Sequence, residues 1–132
     1  MDAKEFAVFV SKIADDRKAE QIRVVEVGDL SGITDYFVIV TGTSEPHLKA
    51  IVAELQKRTQ ELLGRKPNGT DGKIPTNWFV LDYFDVIVHV MTESARSFYS
   101  LESLWKDAPQ FSYQDLDGSA GGGGTANAAL SA

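Results

Sequence analysis

The segment Tyr36–Thr41 reads YFVIVT, an almost unbroken apolar run. A strand with one wet face alternates apolar and polar residues; a run without alternation has to be covered on both sides. Such a strand needs strands on either side of it and layers above and below, so the chain is drawn toward a central sheet with packed helices. The neighbouring segments supply both. Residues 3–19 carry Phe6, Phe9, Val10, Ile13 and Ala14 at helical spacing, with Lys4, Lys12, Asp15 and Asp16 on the other side. Ile22–Val27 is rich in β-branched residues and predicts a strand, closed by Gly28 and the Ser31-Gly32 turn.

After the apolar run, Thr41-Gly42-Thr43-Ser44 leads into a second helix. Ser44 suits the N-cap, and Pro46 falls in the first turn, where its missing N–H is harmless. Leu48, Ile51, Val52, Leu55, Thr59 and Leu62 form the inward stripe, and Gly64 is a natural stop. Residues 65–77 are turn-rich, with room for a third short strand. Trp78–Leu81 and Val86–Met91 predict two strands, and about Ser94–Lys106 a last helix with Phe98, Leu101 and Trp105 on one side. The order α-β-β-α-β-β-α predicts an α/β chain with a mixed sheet of four to five strands. Residues 1–114 are expected to form one domain, and residues 115–132, rich in glycine and alanine, a disordered tail.

Composition narrows the chemistry. There is no cysteine, which removes disulfides, thiolate catalysis and cysteine zinc sites together. His47 and His89 are far apart in sequence, so no metal is expected. The apolar runs are too short to span a bilayer, and the first residues lack a signal core, which makes the cytoplasm the expected location. The formal net charge is -6, from 13 basic and 19 acidic side chains. Broad contact with phosphate backbones calls for Lys and Arg, so bare RNA should repel this chain and a basic protein should attract it.

Trp78–Asp82 and Asp85–Met91 can be read as a tight hairpin with Tyr83 and Phe84 at its tip. In that register Asp82 faces Asp85, Val80 faces Ile87 and Trp78 faces His89. One side is then apolar throughout: Phe79, Leu81, Val86, Val88 and Val90. The other shows Trp78, Val80, Asp82, Asp85, Ile87 and His89. Opposed like charges weaken a hairpin by about 0.2–1 kcal/mol, and Tyr-Phe is poor chemistry for a two-residue turn. Two readings fit. The face and tip form a partner surface, its acids awaiting Arg or Lys; or Trp78 and His89 lie under a helix and the acids are ordinary solvated strand ends.

Three blocks then form a pattern: ITDYFVIVTGTS at 33–44, NWFVLDYFDVIVHVM at 77–91 and RSFYSLESLW at 96–105. Together they resemble the ribosomal silencing factor family, also called Iojap, from about residue 5 to 108. The resemblance implies a fold related to nucleotidyltransferases without their catalytic acids, and therefore no reaction and no cofactor. It implies docking on large-subunit ribosomal protein fourteen, steric blocking of subunit joining when nutrients are short, and a homodimer when free. It places partner contacts at Trp78, Asp82, Tyr83 and Asp85, and further ones at Tyr99, Glu102 and Trp105. Phe84 stands where the family commonly has glycine, and Pro46 where arginine is frequent.

The alternative is a nucleotide-handling enzyme. Thr41-Gly42-Thr43-Ser44 resembles a glycine-serine turn that holds phosphate at a helix N-terminus. Such enzymes also need carboxylates converging on magnesium, and Asp82 and Asp85 lack the two-apart spacing that shares a strand face. Asp35 is expected to brace the Ser31–Thr34 turn, and His47 to lie exposed near its helix start.

Overall fold

The computed structural model describes residues 1–73 and 77–117. Helix α1 spans Ala3–Asp16 and opens on a capping box: Glu5 N–H donates to the Asp2 carboxylate at 2.8 Å, and Asp2 N–H to the Glu5 carboxylate at 2.9 Å. Strand β1 (Glu20–Glu26) is followed by a single helical turn, α2 (Gly28–Ser31), and by strand β2 (Tyr36–Gly42), which is the apolar run. Helix α3 (Glu45–Leu63) starts at Ser44, whose hydroxyl accepts from His47 N–H, and stops at Gly64 in the left-handed region. Then come β3 (Gly69–Lys73), β4 (Trp78–Asp82), β5 (Val86–Thr92), α4 (Glu93–Tyr99), α5 (Leu101–Leu104), β6 (Gln110–Phe111) and α6 (Tyr113–Asp117).

The strands form one six-stranded mixed sheet in the order β3-β4-β5-β2-β1-β6. β2 and β5 are parallel, and the other neighbours are antiparallel. Six of the seven residues of β2 are buried, as an unalternating apolar run requires. On one face Val24, Val38, Val40, Leu81, Val86, Val88 and Val90 pack against Phe6, Val10 and Ile13 of α1 and Leu48, Ile51 and Leu55 of α3. The opposite face has a smaller core: Val25, Phe37, Ile39 and Met91 under Ala95 of α4 and Ala108, with Trp78, Ile87 and Trp105 at its margin. Two long helices cover the first face; the second is covered only in part. That asymmetry positions the candidate site.

The structure departs from the expected order in three places. β3 is the third short strand for which the turn-rich segment had room, and β6, which pairs Phe111 with Val24 and Gln110 with Val25, adds a sixth to the expected four to five. The last helix is broken at Ser100, which sits at φ 50. The Ser100 hydroxyl donates to the Ser97 carbonyl, a local alternative to the helical ladder that serines readily offer. Phe98, expected to face inward, is 80% exposed, because the side of α4 that meets the sheet is that of Ala95 and Arg96. Finally, the folded unit runs beyond residue 114, since Tyr113 donates to Asp15 at 2.5 Å and Lys12 pairs with Asp117 at 2.9 Å, both tying α6 to α1. The rest of the expected tail, 118–132, lies outside the described residues. Among the described residues no helix is long and apolar enough to cross a membrane.

The hairpin register also differs. Asp82 faces Ile87, Val80 faces His89 and Trp78 faces Met91. Tyr83 N–H donates to the Val86 carbonyl at 2.9 Å, so the two turn residues are Phe84 and Asp85 rather than Tyr83 and Phe84. Moving the turn by one residue shifts the ladder by two, and a two-residue shift leaves each strand residue on its face. Trp78, Val80, Asp82, Ile87 and His89 therefore stay on the partly covered face. Asp85 leaves the ladder, and Tyr83 joins the core face.

There Tyr83 is 2% exposed, its ring 5.0 Å from that of Phe6 and its hydroxyl 3.0 Å from Thr59 Oγ1. Thr59 Oγ1 donates to the Leu55 carbonyl, which leaves its lone pairs for the tyrosine. Replacing Tyr83 with phenylalanine is expected to lower stability by about 1 kcal/mol, the net worth of one buried hydrogen bond, in urea unfolding. An unchanged midpoint would show that the hydroxyl pair contributes nothing.

Candidate partner-binding site

Six rings run in contact from the smaller core to the surface. Trp105 meets Phe37 at 5.4 Å between centroids, Phe37 meets His89 at 4.9 Å, His89 meets Trp78 at 5.8 Å, Trp78 meets Tyr99 at 4.8 Å, and Tyr99 meets Phe98 at 5.0 Å. Most of these pairs are edge-on or tilted, the geometry ring quadrupoles prefer. The sheet supplies Phe37, His89 and Trp78 from adjacent strands on one face; α4 supplies the outer two. Thr92 caps α4 by accepting from Ala95 N–H at 3.2 Å, and the stop at Ser100 leaves Tyr99 over Trp78.

Arg96 holds α4 to the sheet. It is 7% exposed, and its guanidinium donates to the Gln21 carbonyl at 2.6 Å and to Thr41 Oγ1 at 2.7 Å. Gln21 sits at φ 49 where the β1–β2 register shifts, so the bulge turns its carbonyl toward the arginine. Sequence reading missed this role, because partner groups 75 and 55 residues away leave no local signal.

His89 is inside rather than on the partner face. It is 7% exposed, and Trp78 Nε1–H donates to its Nδ1 at 3.0 Å. Accepting at Nδ1 places the proton of the neutral ring on Nε2, which is buried without a partner among the described residues. Burial pushes its pKa down to about 4. At neutral pH His89 is thus an uncharged support for Trp78. Because the indole N–H is turned inward, what the half-buried Trp78 offers outside is apolar ring. Val80, Ile87 and Asp82 extend this partly exposed strip along the same face.

The two acids are not opposed. Asp82 accepts Phe84 N–H at 2.8 Å, and Asp85 pairs with Arg65 at 2.8 Å. Arg65 also donates to the Tyr83 carbonyl and lies 3.9 Å over the Phe6 ring, so it ties the end of α3 to the hairpin turn. Both carboxylates already have partners within the chain. Trp105 is half-buried against Phe37, Tyr99 is 37% exposed, and Phe84 is 72% exposed. The side chain of Glu102 lies outside the described residues.

The turn considered for phosphate opens on a cleft of about 830 Å³ beyond the ends of β2 and β5. Its chemistry does not favour an anion. Thr43 N–H donates to His47 Nδ1 at 2.9 Å, His47 N–H is taken by Ser44, and Pro46 has none to give. Glu20, Glu45 and Glu93 line the same cleft, and a polyphosphate would meet three carboxylates. His47, expected to be exposed, is half-buried and joins α3 to α1 through Nε2 and the Arg17 carbonyl at 2.6 Å. The Ser31–Thr34 turn is braced by Ser31, whose hydroxyl accepts from Ile33 N–H at 3.1 Å; among the described residues the Asp35 carboxylate makes no bond to it.

The sequence profile of the family described as "Ribosomal silencing factor during starvation" matches residues 1–130. The chain is 38% identical over 109 residues to the ribosomal silencing factor RsfS of Halalkalibacterium halodurans, covering 83% of this chain and 92% of that protein. It is 34% identical over 117 residues to RsfS of Bacillus subtilis, covering 89% and 96%. A crystal structure of a Chromobacterium violaceum protein superposes with a TM-score of 0.76 at 27% identity, covering 80% of this chain and 88% of that one. On this agreement of profile, relatives and architecture, the chain belongs to the ribosomal silencing factor family.

Proposed function

We propose that the chain docks on the large ribosomal subunit through the partly covered sheet face and keeps the small subunit from joining, without a reaction or a cofactor. One observation supports this most: the ring series ends at the surface in Trp78, Tyr99 and Phe98, on the face the chain's own helices leave incompletely covered. Half-exposed aromatics backed by a rigid core are what a protein interface uses as anchors. With a net charge of -6, the partner that fits is a basic ribosomal protein rather than bare RNA. Large-subunit protein fourteen is the partner we assign, with Trp78 and Tyr99 as anchors, Asp82 at the polar end of the strip, and Glu102 and Trp105 on the α5 side. Tyr83 and His89 act from beneath, as supports. A chain of 132 residues seated on the joining face blocks it by volume alone.

Sedimentation of the purified protein with isolated subunits tests the reading. Co-migration with the large subunit alone, and fewer joined particles, is the expected result. Migration with neither subunit would overturn it. We assign the free chain a homodimer. Should the dimer use the same aromatic face, ribosome binding will weaken as protein concentration rises.

A further inference from the structure

At the other end of the hairpin from Trp78, two neighbouring turns each present a large apolar side chain to solvent. Phe84 is 72% exposed and Ile33 is 77% exposed. Phe84 is the first central residue of its two-residue turn and sits at φ 80. A positive φ there, closed by Asp85 N–H returning to the Tyr83 carbonyl, makes a γ-turn of the rare, strained hand, a conformation suited to glycine. A side chain in such a region strains the turn, and it persists only where the surroundings enforce it. Here they do. The Asp82 carboxylate takes Phe84 N–H, Asp85 N–H returns to the Tyr83 carbonyl at 3.0 Å, and Arg65 grips both Asp85 and that carbonyl.

The turn bearing Ile33 is held as firmly. Gly32 adopts φ 67, and the Ser31 hydroxyl accepts from Ile33 N–H and donates to the Thr34 carbonyl. The two turns are joined, since Asp35 N–H donates to the Asp85 carbonyl at 3.0 Å. Burying either side chain within the chain would be favourable, yet both are held outward. Beside them in the chain Asp35 is exposed and Asp82 is half-buried, while Arg65 is committed to Asp85 and Lys66 is the exposed cation next to it.

We infer that this edge is a second docking point, at which Phe84 and Ile33 enter an apolar recess in a basic protein surface. The reading rests on the ribosomal docking proposed above and adds a contact to it. The carboxylate rim selects the occupant. A phosphate backbone would be repelled, and a second copy of the chain meeting this edge face to face would oppose like charges. A surface rich in Lys and Arg complements it. The strain has a use in this setting, because the enforced turns hold both side chains in the docking conformation before the partner arrives.

The test uses the full chain with purified large subunits, read by sedimentation titration beside thermal melting. Phe84→Gly is expected to weaken binding at least tenfold while raising the melting temperature by a few degrees, since glycine relieves the positive φ. Ile33→Ser is expected to weaken binding severalfold and leave the melting temperature unchanged. A structural role alone lowers stability and binding together; the opposed signs are the signature of a docking residue. Trp78→Ala serves as the reference. If it abolishes binding while Phe84→Gly and Ile33→Ser bind like wild type, this second contact is refuted and the principal face stands. A Phe84→Gly chain that melts below wild type would equally overturn the argument from strain. Wild-type protein that fails to sediment with large subunits would remove the ribosomal reading and this contact with it.

Discussion

Truncation of Trp78 to alanine is expected to weaken binding to the large subunit by about a hundredfold, roughly 3 kcal/mol, the scale of a central aromatic anchor. The substitution removes the ring that lies 4.8 Å from Tyr99 and also strips His89 Nδ1 of its donor. The second effect acts on the fold, because a buried acceptor left without a partner costs about 1–3 kcal/mol. Trp78→Phe separates the two. It keeps most of the apolar area and loses the hydrogen bond, so it should share the loss of stability while retaining much of the affinity. Urea unfolding and sedimentation titration on both variants give the comparison. Wild-type affinity in a folded Trp78→Ala chain would show that the partner does not use this face.

The second large effect follows from His89. Its folded pKa is about 4, against 6.5 for a free histidine, with burial as the cause. Between those values the unfolded chain binds more protons than the folded one, so stability rises with pH across the window. The contribution is complete above about pH 6.5 and is lost as the pH falls toward 4. A shift of about 2.5 pH units corresponds to roughly 3 kcal/mol. Protonation at Nδ1 also removes the acceptor that Trp78 Nε1–H uses, so the anchor should loosen in the same window. His89→Gln keeps a side-chain oxygen for the indole N–H and does not titrate. Urea midpoints for wild type and His89→Gln between pH 4 and 8 should diverge as acid is added, with wild type falling faster. Parallel curves would show that His89 does not carry the acid sensitivity.

The candidate site was legible in part. Trp78, Val80, Asp82, Ile87 and His89 were placed on one face correctly even though the register was offset by two, because side-chain alternation survives any even shift. The opposition of Asp82 and Asp85 did not survive, since it depended on which two residues form the turn. Turn rules pointed away from Phe84 as a first central residue. Asp82 and Arg65 grip the turn and help hold it there, from positions the turn rules do not see. Tyr83 read as an exposed tip for the same reason and lies in the core.

By itself the sequence determined the layered architecture, the central place of Tyr36–Thr41, the ends of α3 and the family. Each follows from local signals: an apolar run without alternation, a serine cap and a glycine stop, and three blocks of residues in order. Tertiary structure decided what those signals could not reach. It turned His89 from a surface contact into a buried support, committed Arg96 to Gln21 and Thr41, broke the last helix at Ser100, and set Ala95 and Arg96 inward with Phe98 outward. The reason is physical. Periodicity and capping act over a few residues, whereas burial, ring contact and the partner of a buried charge are set by segments that meet only when the sheet assembles.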